Sequence, residues 1–222
     1  MTEMQQRADG SRATPLLSRH EALGGRMIDF GGWRMPVQYT SILEEHRAVR
    51  QRAGIFDLSH MGELFVEGSE AGAALAGALV TDPPSLEVGR AHYSMICAPD
   101  GGVIDDLIVY RLARDRFLVV ANASNAPVVS DALAERLDGK RAILDDRSLA
   151  TALVAVQGPA ARGILGPLTD VDLSTLTADC TDDVLHLAVG VVNTDGSPAG
   201  DQRPVDVGSG QRLASAPSEK KT

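Results

Sequence analysis

Aromatic side chains, cysteines and long apolar runs are all scarce in this sequence. Aromatic residues make up 4% of the 222 residues. The only cysteines, Cys97 and Cys180, lie far apart and offer neither a metal-ligand spacing nor a disulfide framework, so a reducing compartment is expected. No apolar run approaches the ~20 residues of a membrane span, and the polar residues 1–13 lack the apolar centre of a signal peptide. These absences predict a cytoplasmic protein without a membrane partner or a metal site.

The charge balance is acidic. Lys and Arg total 21 against 30 Asp and Glu, which gives a formal net charge of −9. Nucleic-acid binding requires a basic surface, so the composition argues against a nucleic-acid partner. A hydrophobic content of 44% is ordinary for a globular protein. The length suits one or two domains with a sizeable core.

The most informative stretch is residues 100–110 (DGGVIDDLIVY). Its first three residues are a tight-turn signal, and a strand-forming apolar run follows at once. Residues 91–97 (AHYSMIC) form the predicted partner strand, so the sequence predicts a β-hairpin. Asp105 and Asp106 are neighbours in its second strand, and a strand points neighbouring side chains to opposite faces.

Each of these carboxylates shares its face of the strand with apolar residues. Asp106 lies with Ile104, Ile108 and Tyr110, and Asp105 lies with Val103, Leu107 and Val109. At least one carboxylate is therefore partly desolvated, which raises its pKa above the ~3.9 of a free Asp unless a partner compensates. Two interpretations stay open at this point: a structural Asp paired with an Arg or a backbone N–H, and a functional carboxylate.

A second polar cluster, Asp57, Ser59 and His60, interrupts apolar residues at a predicted helix-to-strand junction. A Ser-His-Asp triad is a spatial arrangement, and adjacency in sequence does not indicate one. The Gly-x-Ser-x-Gly nucleophile elbow is also absent. We therefore interpret Asp57 as a cap or turn residue and His60 as a hydrogen-bonded structural residue.

The order of predicted elements favours an α+β fold with mainly antiparallel sheets and flanking helices. Strands pair through hairpins, and single helices interrupt them. One helix is predicted after Ser41, which forms a capping box with Glu44. Residues 1–13 are expected to be a disordered leader, and residues 195–222 have the composition of a disordered tail.

Three segments in a fixed order carry a resemblance to a known family: residues 54–61 (GIFDLSHM), 101–109 (GGVIDDLIV) and 157–159 (QGP). Residues 14–16 (TPL) and 30–33 (FGGW) fit the same pattern. Together they resemble the T-protein of the glycine cleavage system, an aminomethyltransferase, over roughly residues 14–173. The set of motifs is specific, whereas none of them would decide the matter alone.

The resemblance implies a tetrahydrofolate-dependent transferase whose partner is the lipoylated H-protein. The second Asp of the paired motif, Asp106 here, corresponds to the key carboxylate that holds the pterin and assists attack by N5. Met61 corresponds to a residue at the folate pocket, and Tyr93, Tyr110 and Asn122 are further candidates for its wall. An apolar slot with few polar groups suits an aromatic pterin.

The resemblance also implies a domain plan. It assigns residues 14–55 and 149–194 to a first, incomplete folate-binding subdomain and residues 56–148 to a second. A pterin-binding Glu motif and a C-terminal barrel domain of the family are missing after about Leu176. Three hypotheses follow: an active aminomethyltransferase, a non-catalytic folate-binding module, and an inactive fragment from truncation or a frame shift.

Overall fold

The structure, a computed structural model, describes residues 10–169, 173, 188–193 and 206–207. Its strands are β1 (Arg12–Ala13), β2 (Arg26–Phe30), β3 (Trp33–Gln38), β4 (Gly54–Asp57), β5 (Gly62–Glu67), β6 (Arg90–Cys97), β7 (Val103–Ala113), β8 (Arg116–Ala121), β9 (Ile143–Asp146), β10 (Thr151–Gln157), β11 (Ala188–Asn193) and β12 (Asp206–Val207). Its α-helices are α1 (Leu17–Ala22), α2 (Ile42–Gln51), α3 (Ala71–Ala78), α4 (Ala126–Leu137) and α5 (Ala161–Leu165). The predicted α+β class with mainly antiparallel sheets is confirmed.

The largest sheet has six strands in the order β12-β6-β7-β8-β5-β9. Helices α3 and α4 cover one face, because their apolar sides pack against the alternate strand residues that point that way. Leu75 and Leu133 are fully buried in this layer together with Leu64, Val109 and Val119. This side of the sheet is therefore closed by helices.

The opposite face of the six-stranded sheet has its own apolar cluster. Phe65, Tyr110, Leu118 and Val120 meet Leu153 of strand β10 there. Strand β10 belongs to a three-stranded sheet of order β11-β10-β4, and both of its pairings are antiparallel. Part of the second face is thus covered by another sheet rather than by helices.

The predicted hairpin is strands β6 and β7, joined by the turn at residues 98–102. Asp100 accepts a hydrogen bond from the N–H of Gly102 at 3.0 Å, and Gly101 has a φ of +89°. A side chain at position 101 would be strained, which explains the Asp-Gly-Gly signal. The turn fixes the register that sets Asp105 opposite Ile96 and Asp106 opposite Met95.

The N-terminal part differs from the prediction in one respect. Residues 1–9 of the predicted leader lie outside the described residues, but Arg12–Ala13 pair in parallel with strand β3. The leader boundary at residue 13 is therefore wrong, because backbone hydrogen bonds to β3 order the chain before Thr14. The Arg12 guanidinium also lies 4.6 Å from the ring centre of Trp33, which is buried.

The predicted tail, residues 195–222, lies outside the described residues apart from Asp206–Val207, which pair in parallel with strand β6. For those two residues the prediction of disorder is wrong, since an edge strand accepts them. The division into two subdomains stays a prediction. Among the described residues, no helix combines the length and apolar character that a membrane span needs.

Candidate functional site

The candidate site is the face of the six-stranded sheet opposite helices α3 and α4, here called the site face. Antiparallel partners share a face, so the register gives its rows directly. One row runs across four strands through Tyr93, Ile108, Val120 and Glu63. The neighbouring row runs through Ala91, Tyr110, Leu118 and Phe65.

Exposure falls steadily from one side of this face to the other. Tyr93 on β6 is 57% exposed and Ile108 on β7 is half-buried, whereas Val120 is 4% exposed and Glu63 on β5 is fully buried. This row is therefore open over strands β6 and β7 and closed over β8 and β5. The neighbouring row is buried throughout, since Ala91 and Tyr110 are each 2% exposed and belong to the cluster that contains Leu153 of strand β10.

The adjacent carboxylates Asp105 and Asp106 occupy different environments, as the strand alternation predicts. Asp105 is 4% exposed and points to the helix-covered face, while Asp106 is exposed on the site face. Asp105 accepts hydrogen bonds from the backbone N–H of Asn122 at 3.0 Å, from its side-chain amide at 3.0 Å and from Asn125 at 2.9 Å. These donors compensate the buried carboxylate, so Asp105 fits the structural interpretation.

Asn122 ties the two carboxylates together. Its Nδ2 lies 3.0 Å from Asp105 Oδ1 and 3.1 Å from Asp106 Oδ1, and it also donates to the Asp106 carbonyl at 2.9 Å. The amide directly follows strand β8, so backbone pairing with β7 brings it beside the carboxylates. Asp106 keeps an exposed carboxylate that this amide orients.

Met61 lies at the closed side of the site face. It directly precedes strand β5 and packs, half-buried, against the apolar cluster of Phe65 and Leu153. The turn before it is held by the Met61 N–H, which donates to the Leu58 carbonyl at 2.9 Å. Tyr110 lies in the same cluster with 2% of its surface exposed, and burial raises the pKa of its phenol.

The structure therefore brings five residues to one side of one sheet: Met61, Tyr93, Tyr110, Asp106 and Asn122. Their positions in the sequence alone did not require this. Tyr93 and Asp106 are exposed, Met61 and Asn122 are half-buried, and Tyr110 is buried. An apolar sheet face beside one oriented carboxylate suits a planar heterocycle with polar edges. The roles of these residues stay predictions.

Asp57 connects this region to the N-terminal segment. Its side chain accepts hydrogen bonds from Thr14 at 2.6 Å, from His20 Nε2 at 2.8 Å and from the Ser59 N–H at 3.0 Å. Burial alone would raise the pKa of Asp57, but the hydrogen bonds from His20, Thr14 and Ser59 outweigh it and hold the pKa below its usual value. Nδ1 of His20 is in turn hydrogen-bonded to the Tyr39 hydroxyl at 2.6 Å.

Ser59 and His60 do not join Asp57 in a catalytic triad. The Ser59 hydroxyl exchanges hydrogen bonds with the backbone of Leu153, at 3.4 Å to its carbonyl and 3.1 Å from its N–H. Among the described residues, Nδ1 of His60 has no hydrogen-bond partner, so the interpretation of His60 as a hydrogen-bonded residue is not met at that atom. Burial lowers the pKa of His60, and the charge of Asp57 offsets this only in part.

Sequence reasoning missed His20, Tyr39 and Glu63. The first two are far from Asp57 in the chain, and no local spacing links them to it. Glu63 lies in strand β5, where every residue from Gly62 to Val66 is buried because both faces of the strand are covered. A charged residue in a strand that is otherwise apolar on both sides was the available signal.

Comparison with known proteins identifies the family of this chain. Residues 16–181 match the family described as the GCVT N-terminal domain. The match covers most of the chain, and the protein belongs to that family.

Relatives with the name aminomethyltransferase are similar over the same region. The one from Saccharopolyspora erythraea is 56% identical over 165 residues, which are 74% of this chain and 45% of the relative. One from Thermus thermophilus is 50% identical over 164 residues, 74% of this chain and 47% of the relative. The chain thus spans less than half the length of these relatives.

Two solved structures have a fold similar to that of this chain. The glycine cleavage system aminomethyltransferase T from Bartonella henselae superposes with a TM-score of 0.68 at 39% identity, covering 70% of this chain and 43% of that one. The heterotetrameric sarcosine oxidase from Corynebacterium sp. U-96 superposes with a TM-score of 0.53 at 18% identity, covering 87% of this chain and 80% of that one. The second likeness is one of fold alone.

Proposed function

We propose that this chain binds tetrahydrofolate on its site face and serves aminomethyl transfer in the glycine cleavage system. In the proposed reaction, the lipoyl arm of the H-protein presents an aminomethyl group and N5 of the folate takes up the one-carbon unit. Ammonia leaves, and 5,10-methylenetetrahydrofolate and dihydrolipoyl H-protein result. The proposal keeps the cytoplasmic location expected from the sequence.

The observation that supports this most directly is the Asp106–Asn122 contact on an open apolar face, in a chain of this family. Asn122 orients the Asp106 carboxylate, so the carboxylate can accept a hydrogen bond from a pterin N–H without first losing rotational freedom. Tyr93 and Ile108 on adjacent strands offer apolar area for the ring. Positioning of the two reactants is the main catalytic effect in this scheme.

Isothermal titration with tetrahydrofolate under reducing, oxygen-free conditions tests the binding step. Loss of a charge-assisted hydrogen bond of about 1.5–3 kcal/mol predicts that Asp106→Asn weakens binding roughly 10- to 100-fold. Asp131→Asn is the matched control, because Asp131 is exposed on helix α4 at the other side of the sheet. Equal affinity in wild type and Asp106→Asn would overturn the role of Asp106.

An assay coupled to lipoylated H-protein tests the transfer step. Turnover that Asp106→Asn abolishes and Asp131→Asn leaves unchanged supports an active transferase. Folate binding without turnover at saturating H-protein supports the non-catalytic folate-binding module instead. Absence of both identifies an inactive fragment.

A further inference from the structure

Glu63 is a buried carboxyl group that the proposed function does not use. It stands in the row Tyr93, Ile108, Val120, Glu63, two strands away from the strand of Asp106 and on the same face of the sheet. With strands about 4.8 Å apart, the backbones of Glu63 and Ile108 are separated by about 10 Å. Glu63 therefore lies at the closed end of the surface whose open end carries Asp106 and Tyr93.

Neither carboxyl oxygen of Glu63 has a hydrogen-bond partner among the described residues, and the residue is fully buried. The Thr151 hydroxyl lies beside it but donates to the Arg147 carbonyl at 2.8 Å. An unsatisfied buried polar group of this kind costs about 1–3 kcal/mol and calls for an explanation. An apolar side chain at this position would have avoided the cost, as Leu64 and Phe65 do elsewhere in strand β5.

Burial keeps Glu63 uncharged at neutral pH. It raises the pKa of Glu63 to about 9, the Thr151 hydroxyl opposes this shift, and the nearby Asp146 and Asp57 carboxylates add to it. The Arg147 guanidinium pairs with Asp145 at 2.6 Å and lies over the ring of Phe65. Glu63 thus presents both a donor O–H and an acceptor C=O.

On the basis of the proposed function, we propose that Glu63 is a further recognition residue, whose carboxyl group pairs with the polar edge of the bound pterin. A neutral carboxyl that donates and accepts matches a heterocycle edge with an adjacent N–H and ring nitrogen or carbonyl. Ile108 and Met61 on the same face are both half-buried. Met61 is unbranched and adapts its shape to a ligand at little cost.

The test compares wild type, Glu63→Gln and Glu63→Met in titrations with tetrahydrofolate from pH 6 to pH 10. Gln keeps a donor and an acceptor but cannot ionise, whereas Met fills the space and can do neither. Glu135→Gln on the exposed side of helix α4 is the matched control for the same substitution away from the site face. Circular dichroism at each pH restricts the comparison to folded protein.

The proposal predicts that wild-type affinity falls as the pH rises through about 9, while Glu63→Gln binds within about threefold of wild type at neutral pH and shows no such fall. Glu63→Met should lose at least tenfold at neutral pH. If Glu63→Met does not fold, the pH profile of Glu63→Gln decides.

Two results would overturn the role of Glu63 and leave the proposed function intact, provided that wild type binds. One is a Glu63→Gln variant with the same pH profile as wild type, and the other is a Glu63→Met variant with undiminished affinity. Absence of wild-type binding at every pH would overturn both. The two failures are therefore distinguishable.

Discussion

Asn122 donates two hydrogen bonds to Asp105, one from its backbone N–H and one from its side-chain amide, each at 3.0 Å. The pairing spans strands β7 and β8 and holds a buried carboxylate at the edge of the helix-covered core. The same amide touches the neighbouring Asp106 on the opposite face. One polar side chain thus couples the sheet core to the site face.

The first prediction separates the two carboxylates by stability. Asp105→Ala should lower the free energy of unfolding by about 3 kcal/mol, because it leaves the donors of Asn122 and Asn125 without their acceptor. Asp106→Ala should change it by less than about 1 kcal/mol, because its carboxylate is exposed. Urea unfolding measures both, and a larger loss in the Asp106 variant would refute this division of roles.

The second prediction concerns the alkaline side of the stability profile. The pKa of Glu63 is raised from 4.5 to about 9, so between these values the folded state binds a proton that the unfolded state lacks. Its stability contribution is complete below pH 4.5 and is lost as the pH rises towards 9. Relative to Glu63→Gln, wild type should lose up to about 1.4 kcal/mol per pH unit in this window. Urea unfolding across this pH range measures the free energy of unfolding of both proteins. A difference between them that does not change with pH would contradict this prediction.

The third prediction concerns the acidic side. The pKa of Asp57 lies below its ordinary value of 3.8, so its contribution is complete above that value and is lost as the pH falls through the lower, folded-state pKa. Wild type should therefore lose stability relative to Asp57→Asn only below about pH 4. A difference between the two proteins that stays constant from pH 6 to pH 2.5 would show that Asp57 does not titrate in this way.

The fourth prediction explains the glycine in the Gln-Gly-Pro motif. Gly158 has a φ of +118°, and a β-carbon there would lie 2.5 Å from the Val49 carbonyl oxygen and 2.7 Å from that of Arg52. Gly158→Ala should lower the free energy of unfolding by roughly 2–4 kcal/mol. The alanine would be strained at this φ, and its β-carbon would clash with the backbone at the end of helix α2.

The matched control for this substitution is Gly163→Ala. Gly163 lies in helix α5 with no heavy atom within 4 Å of an added β-carbon, so alanine should stabilise the helix by about 0.5–1 kcal/mol. Thermal unfolding of the two variants makes the comparison. Similar effects of both substitutions would show that the motif glycine is not required for close packing.

Local patterns in the sequence were enough to predict the hairpin of β6 and β7, the opposite orientation of Asp105 and Asp106, and the helix that Ser41 caps by accepting from the Glu44 N–H at 3.2 Å. The resemblance to the T-protein family is confirmed by the match over residues 16–181. These features depend on neighbours within a few residues or on motifs in a fixed order. Both kinds of pattern can be recognised in the sequence before the fold is known.

Tertiary structure alone decided which faces are covered and which distant groups meet. Alternation in β5 could not show that strand β10 closes the second face over Glu63, and nothing near Asp57 in the chain pointed to His20 or Thr14. In helix α2, Ile42 and Leu43 are 61% and 57% exposed, which the spacing of apolar residues along the helix could not show. Burial and partner choice are set by packing between elements that are remote in sequence, and it is this packing that gave Asp105 its structural partners and left Asp106 open on the site face.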